Sequence, residues 1–581
     1  MTYLVPSSVC VAYGVIFFCT SLLHNIFLVY HVQAFVSGFG LSKSSFWSAE
    51  LVFLVWNAIN DPLFGWLLDK NLLQEPSASS GTSQLTARRR SRMISIVGPI
   101  LAITFLMIWF SCWLPGYPGC RLAIVLCLYD TATTLLDLQK GALLADLAVT
   151  QVDRSLLGSA ASIGQMLSAS GLVFITWLMG SLEDIDELSN KSRHEISHKF
   201  RFIASLLALV SAFGLWSAGR WLANLPNLTS GLHSAGSNRN ADIYELKVVL
   251  HKPIPKHTGD SPSSRFNPSS NCPTIVSFFE KILQSQNFLA FSLMQALQVF
   301  HCHFNSNFFP LFAKSLLGPD TETLFCAILG TFSCLNATSE FDSPLVTIRF
   351  FLNLLGLSFV LPHISNVFLL KASETVGTYA VIRCLFMVKV VLGITLYLSG
   401  RGNWFILSIF LACNRIFTEG VCKLLSQIIS DLVDEDFVLN DRVQPLSALM
   451  FGATSLLGRP GQTFAPLVGY SMLSALTGKE LISESGSLVI SASDNEAMGT
   501  EPRLPVAAGD ELQFSSSTLP EASFILACSV PLLVGCLQLG IWSYYKLHGS
   551  NLLHIKTERL KRCGKKPSGD DKVVPKMPFS V

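Results

Sequence analysis

Residues 46–69 read FWSAELVFLVWNAINDPLFGWLLD, and the polar triplet Asn60-Asp61-Pro62 sits inside this apolar run. The stretch is long and apolar enough to cross a bilayer. An aspartate at the centre of such a helix costs roughly 2.5–3.5 kcal/mol on insertion scales, so its retention points to use. Asn57, Asn60 and Asp61 stand at i, i+3 and i+4, which puts their oxygens on one helix face. That face suits a cation or a hydrogen-bonded polar solute.

Composition places the rest of the chain in the same setting. Of 581 residues 50% are hydrophobic and 14% charged, with mean hydropathy +0.47; a soluble domain carries about 25% charged residues. Many of the fifteen cysteines lie in apolar runs (Cys10, Cys19, Cys127, Cys413, Cys528) and no CxxC pair occurs, so they read as small buried hydrophobes. The N-terminus lacks a basic region before its first apolar run, and that run is long enough to span, so no cleavable signal is expected. Apolar stretches of spanning length fall near 9–31, 46–69, 93–114, 121–147, 156–180 and 200–222, then near 286–312, 347–371, 376–399, 404–430, 445–475 and 521–546. The predicted organisation is an all-α membrane protein with 12 transmembrane helices: a six-helix half over 1–222, a cytoplasmic linker over 223–285, a second six-helix half over 286–547 and a basic tail over 548–581. The linker's polar part, 223–274, has no apolar period and should be disordered. Two six-helix halves around a hydrophilic linker resemble the layout of the major facilitator superfamily.

Charge orients the spans. Lys70, Arg88, Arg89, Arg90 and Arg92 follow the second span, and Lys556, Arg559, Lys561, Arg562, Lys565 and Lys566 follow the last; the positive-inside rule makes both regions cytoplasmic. The acidic segment 479–520 then faces outside. So do the sequons at Asn190 and Asn336, which are expected to be glycosylated, whereas Asn227 falls inside. The apolar stretch 324–335 fits no span; a thirteenth crossing there would break the charge pattern.

The fourth span holds Asp130, Asp137, Lys140 and Asp146. Asp130 and Asp137 share a face, and Lys140 can pair with Asp137 from i+3. A solute site and a structural ion pair both fit Asp137–Lys140; Asp146 is expected at the solvated end. Gln298, His301 and Asn305 form a stripe on the seventh span, read as a cavity lining. The rings of His301 and His303 diverge by about 200° on a helix, and no further cysteine or carboxylate sits at ligand spacing, so no metal site is expected. Arg415, Glu419 and Lys423 make an i,i+4 ladder that neutralises itself, with Arg383 and Lys389 as further partners. Arg459 keeps its proton and must face water or a carboxylate. The adjoining Pro460-Gly461 can break its helix and expose backbone groups. No nucleophile–base pair or Gly-rich phosphate loop is present, which argues against an enzyme. The arginines at 88–92 lie beside a membrane and read as an orientation and lipid signal rather than a nucleic-acid site.

Several of these motifs carry a resemblance. Trp56-Asn57-Ala58-Ile59-Asn60-Asp61-Pro62 with Gly65-Trp66 is similar to the second-helix motif of the melibiose permease-like glycoside–pentoside–hexuronide:cation symporters, which reads Trp-Asp-Ala-Ile-Asn-Asp-Pro. Asp137 in TLLDL resembles that family's fourth-helix sugar-binding aspartate, and DLVDEDFVLNDR at 431–442 resembles its loop between helices ten and eleven. Arg459 falls where the family has a lysine near its cation site. Gly65 and Asp69 with Arg88, Arg89 and Arg90 resemble the facilitator motif that latches the second cytoplasmic loop. The resemblance covers almost the whole chain. It departs at Asn57, where the family has an acid, at Arg459, at Gly141 in place of a sugar-stacking tryptophan, and in the first span, which has Ser21, His24 and Asn25 but no acid.

The resemblance implies a carbohydrate (or other small polar solute):cation symporter working by alternating access. Asn57, Asn60, Asp61 and Arg459 would form a cation or proton site, and Asp137, Lys140, Gln298, His301 and Asn305 a substrate site. No bound cofactor is expected beyond a coupling Na+ or H+, with the departures favouring a proton or no coupling. The expected partners are a small polar solute such as a sugar and the lipid bilayer, with no nucleic acid, for a monomer in the plasma membrane. The alternative is a facilitator-fold membrane protein that does not transport and serves as receptor or interaction scaffold.

Overall fold

The computed structural model describes residues 5–33, 43–73, 83–110, 117–148, 150–186, 198–225, 275–316, 344–442, 444–477 and 518–564. The sequons at Asn190, Asn227 and Asn336, the stretch 324–335 and nearly all of the acidic segment 479–520 lie outside them. Among the described residues the chain is all helical: α1 Ser7–Gln33, α2 Lys43–Leu73, α3 Ser83–Trp109, α4 Pro118–Leu147, α5 Gln151–Asp186, α6 His198–Asn224, α7 Ile275–Leu283, α8 Gln286–Leu316, α9 Pro344–Val376, α10 Thr378–Ser399, α11 Trp404–Leu439, α12 Ser447–Thr477, α13 Leu519–Trp542 and α14 Gly549–Gly564. Apart from α7 and α14 every helix has at least 22 residues, about 33 Å at 1.5 Å per residue and enough to cross the hydrocarbon layer. Among them α1, α2, α3, α4, α6, α10, α11 and α13 are also apolar enough to do so on composition; α5, α8, α9 and α12 are as long and interleave with them. The protein is a multi-pass membrane protein.

The packing repeats with an offset of six spans. In the first half α1 packs on α5 and α6, α3 on α4 and α6, and α2 on α4; in the second, α8 packs on α12 and α13, α10 on α11 and α13, and α9 on α11. The halves meet through the pair α2–α12 and its counterpart α5–α9. This two-fold repetition of a six-helix unit is the major facilitator fold. Each half buries its own apolar core, one around Tyr13, Phe105 and Trp109, the other around Phe288, Phe291 and Trp542. Outward positions such as Phe202, Leu209 and Phe213 on α6 and Tyr397 and Leu398 on α10 stay exposed apolar, as a lipid-facing surface requires.

Three local readings change. Helix α3 begins ten residues before the predicted 93–114 span, because Arg88–Arg92 are taken into its opening turns. Pro460 and Gly461 do not break α12, which runs unbroken with Pro460 and Pro466 inside it. A Cβ at Gly461 would stand 2.3 Å from the Ala296 carbonyl oxygen, so glycine here serves the close approach of α12 to α8. The 431–439 part of DLVDEDFVLNDR is the end of α11, and only the residues that follow form a turn.

The polar contacts between halves gather at the end that carries the basic residues. Arg90, fully buried, donates to Asp69 at 2.9 Å, Asp146 at 2.5 Å and Gln139 at 3.3 Å. Those carboxylates then reach the other half: Asp69 Oδ2 accepts the Leu449 N–H at 2.8 Å and Asp146 Oδ1 the Ser447 hydroxyl at 2.7 Å. Leu449 is the third residue of α12, where a backbone N–H has no intrahelical acceptor. Beside this clamp, Arg154 at the start of α5 pairs with Asp431 and with Asp434 (2.7 Å), both on α11. Arg559 of α14 also pairs with Asp434 and donates to the Ala145 carbonyl at 2.9 Å, so α14 ties both halves together. Lys556 lies 3.1 Å from Asp431, and burial pulls its ammonium below the usual lysine range against the pull of that carboxylate. Removing one member of a buried pair costs about 3–5 kcal/mol because a desolvated charge remains. Arg154→Gln should therefore lower unfolding stability by about 3 kcal/mol, read as thermal unfolding of the purified protein in detergent.

Candidate functional site

Above the basic-end contacts the halves part around a cavity of about 510 Å³. Its first-half wall comes from α1, α4 and α5, with Tyr13, Thr20, His24, Asn25, Asp137 and Lys140; its second-half wall comes mainly from α9 and α11, with His363, Arg415, Glu419 and Lys423. Asp137 and Lys140 meet at 2.5 Å. Asp137 keeps 57% of its side chain exposed, whereas Lys140 is buried, donates to Thr20 Oγ1 at 3.0 Å and stands 4.7 Å over the Phe17 ring. The pair thus fixes its ammonium and leaves carboxylate oxygen facing the cavity, free to accept from a solute hydroxyl. Arg415 and Glu419 keep the i,i+4 ion pair their spacing suggests, at 3.9 Å, and Arg415 also donates to Ser306 at 2.6 Å; with Lys423, all three charges line the cavity. Both walls therefore present hydrogen-bond donors and acceptors to the cavity.

The α2 motif forms a second group at the level where α2 and α12 touch. Arg459 reaches Asp61 Oδ2 through Nε at 3.0 Å and Nη2 at 2.8 Å. Thr134 donates to Asp61 Oδ1 at 3.2 Å, and Asn60 Nδ2 donates to Thr134 at 3.2 Å and to Asp130. Among the described residues the buried side-chain amide oxygens of Asn57 and Asn60 have no hydrogen-bond donor. Asn57, Asn60, Asp61 and Arg459 are thus brought together, with Asp130 and Thr134 added from α4. Asp130, Thr134 and Asp137 at i, i+4 and i+7 form one polar stripe of α4, and only the packing of α2 on α4 brings it against Asp61. The group holds two carboxylates against one guanidinium, and Asp137 lies within electrostatic reach of Asp61. The close approach depends on two glycines: a Cβ at Gly65 would stand 2.7 Å from the Ala448 carbonyl oxygen, and one at Gly452 2.4 Å from that of Asp61.

Gln298, His301 and Asn305 stand elsewhere. They turn into the second half, away from the cavity. Gln298 donates to the Thr418 carbonyl at 2.7 Å and accepts from Lys389 at 3.4 Å and Gln538 at 2.8 Å, His301 Nδ1 lies 3.3 Å from Thr418 Oγ1, and Asn305 bonds Thr418 and Asn414. Lys389 accordingly serves this network of buried amides and not the Arg415–Lys423 row. Of the facilitator motif, Gly65, Asp69 and Arg90 build the basic-end clamp, Arg88 donates to the Leu225 carbonyl at 2.9 Å, and Arg89 stays partly exposed on α3.

No family model matches the sequence. The chain is 36% identical over 553 residues to transmembrane protein 180 of Gallus gallus, with 94% of each chain covered, and 36% identical over 561 residues to transmembrane protein 180 of Mus musculus, with 96% of each covered. Among solved structures it is similar to the E. coli fucose:proton symporter at a TM-score of 0.48 and 10% identity, over 93% of this chain and 98% of that one. The Asp61–Arg459 pair can be weighed by a double-mutant cycle. Asp61→Asn and Arg459→Gln should each lower the unfolding midpoint, and the double variant should recover part of the loss, with a coupling energy of about 1–3 kcal/mol in thermal or denaturant unfolding.

Proposed function

The chain belongs to the transmembrane protein 180 family, and from that premise and the cavity we propose that it is a secondary transporter of a small polar solute, coupled to a proton and working by alternating access. The observation that carries the reading is the cavity itself. It lies between two repeated halves, bears charged and hydrogen-bonding groups on both walls, and is shut at one end by contacts that can be exchanged for water. A carbohydrate or a sugar acid fits the wall chemistry, since carboxylate and ammonium groups together satisfy hydroxyls as acceptors and donors.

Coupling is assigned to the Asp61–Asp130–Arg459 group. Arg459 occupies the place beside Asp61 that a coupling metal ion would take, and its charge offsets one carboxylate. The second carboxylate leaves a deficit of one positive charge, which a proton supplies without needing a coordination shell. Asp61 already has both oxygens engaged by Arg459 and Thr134, so the proton is assigned to Asp130, which Asn60 bridges to Thr134. Binding of a solute at Asp137 is felt at Asp61 electrostatically, which links solute and proton occupancy. The membrane end bearing the basic residues is taken as cytoplasmic, so the state described is open toward the outside.

Uptake into proteoliposomes tests this, with radiolabelled monosaccharides, polyols and sugar acids supplied under an inward proton gradient or an inward sodium gradient. Expected is accumulation of at least one class driven by the proton gradient alone. Asp130→Asn should abolish accumulation while leaving downhill exchange, and Asp137→Asn should abolish both. Flux that follows sodium would reassign the coupling ion, and absence of flux for every class would contradict the transporter reading.

A further inference from the structure

Among the described residues three metal-ligating side chains from two helices converge: Cys302 of α8 with Glu419 and Cys422 of α11. Their ligand atoms all lie within 4.8 Å of one another, and Cys302 Sγ is 3.3 Å from Glu419 Oε1. A tetrahedral zinc ion with Zn–S near 2.3 Å and Zn–O near 2.0–2.2 Å sets its ligand atoms about 3.5 Å apart, so the three need only small adjustments to enclose one. Glu419 and Cys422 are three residues apart and share a helix face. Both line the cavity, so an ion entering it meets two ligands directly, with Cys302 behind them.

The surroundings set the kind of ion. Gln298 Nε2 points at Cys422 Sγ from 3.7 Å, a donor that orients the sulfur. Arg415 and Lys423 stand on the same wall, and Lys389 lies within electrostatic reach of both sulfurs. Ligation requires both thiols to give up their protons, which bonding to the metal itself favours. The same cations repel a hard ion held by charge alone, such as Ca2+ or Mg2+, and leave the advantage to an ion that bonds strongly to sulfur. Three protein ligands and a cavity-facing fourth position match the open form of zinc site.

We propose that Cys302, Glu419 and Cys422 form a binding site for a thiophilic metal ion, with zinc as the type, on the α8–α11 wall of the cavity. The site stands independently of the transport reading, because it needs only the pairing of these two helices. Read along one helix, His301 and His303 diverge and no site is visible; the ligands meet only across helices.

Full-length protein purified in detergent, with reductant to keep the fifteen cysteines as thiols, would be titrated with Co2+ and then Zn2+, following thiolate-to-cobalt charge-transfer absorption. Expected is one equivalent of Co2+ bound through sulfur and displaced by Zn2+, with loss of the band in Cys302→Ser/Cys422→Ser and at least a tenfold weaker affinity in Glu419→Gln. A band of equal strength in the double serine variant would place the ion on other cysteines and overturn the proposal, as would absence of a band in the unaltered protein. A second readout avoids any folding defect in the variants. Zn2+ should slow alkylation of Cys302 and Cys422 in the unaltered protein at least tenfold relative to Cys120 and Cys384, which are exposed, as read by mass spectrometry of peptides. Equal labelling rates with and without Zn2+ would also overturn it.

Discussion

The structure hangs on a pair of buried arginines at one end of the bundle. Arg90 gathers Asp69 and Asp146 and presents their remaining oxygens to the start of α12; Arg154 crosses directly to Asp431 and Asp434. Neither guanidinium can lose its proton, and neither can be left dry and unpaired. The halves are therefore held together where these groups sit, with a further ionic contact at Asp61–Arg459, and they part around the cavity. The floor of the cavity combines these charge pairs with a small apolar cluster of Leu68, Leu138, Ala142 and Ala448 that also crosses between the halves.

The charge pairs also make the floor reversible. Apolar packing between halves would have to be exposed to water in an opened state at about 25 cal/mol per Å². Carboxylates and guanidinium groups exposed to water recover their solvation, which offsets much of the lost pairing. The glycines at 65 and 452 let α2 and α12 touch backbone to backbone near Asp61, so the rocking contact proposed for transport would lie beside the carboxylates assigned to proton coupling.

Much of the fold was legible in the sequence, because length and hydropathy alone separate six apolar runs, a polar linker and six more. The errors were local. The arginines after the second span read as a loop, but arginine is a good helix former and these residues open α3. Pro460-Gly461 read as a break, although a proline in a helix interior is tolerated where neighbours compensate, and the glycine answers to α8. The site was legible in part. Asp137 with Lys140, and Asn57 with Asn60 and Asp61, were visible because helical spacing sets which residues share a face. The stripe Gln298–His301–Asn305 was equally visible and led elsewhere, since periodicity tells that a face is polar but not whether it looks at water or at a neighbouring helix. Asp130 joining Asp61, and Cys302 joining Glu419 and Cys422, depend on contacts between helices that no single-helix pattern contains.

The central claim is that the halves exchange the closed end. Spin labels introduced as unnatural amino acids can report this, one pair at the exposed Trp221 and Leu439 on opposite halves of the basic end, another at Tyr117 and Leu398 on the far end. Pulsed dipolar spectroscopy of the reconstituted protein, with sugars and sugar acids and with acidification, measures both spans. The account predicts a second population in which the Trp221–Leu439 distance lengthens as the Tyr117–Leu398 distance shortens, its size shifting with solute or pH. A single unchanged distance at both ends under every condition would contradict it.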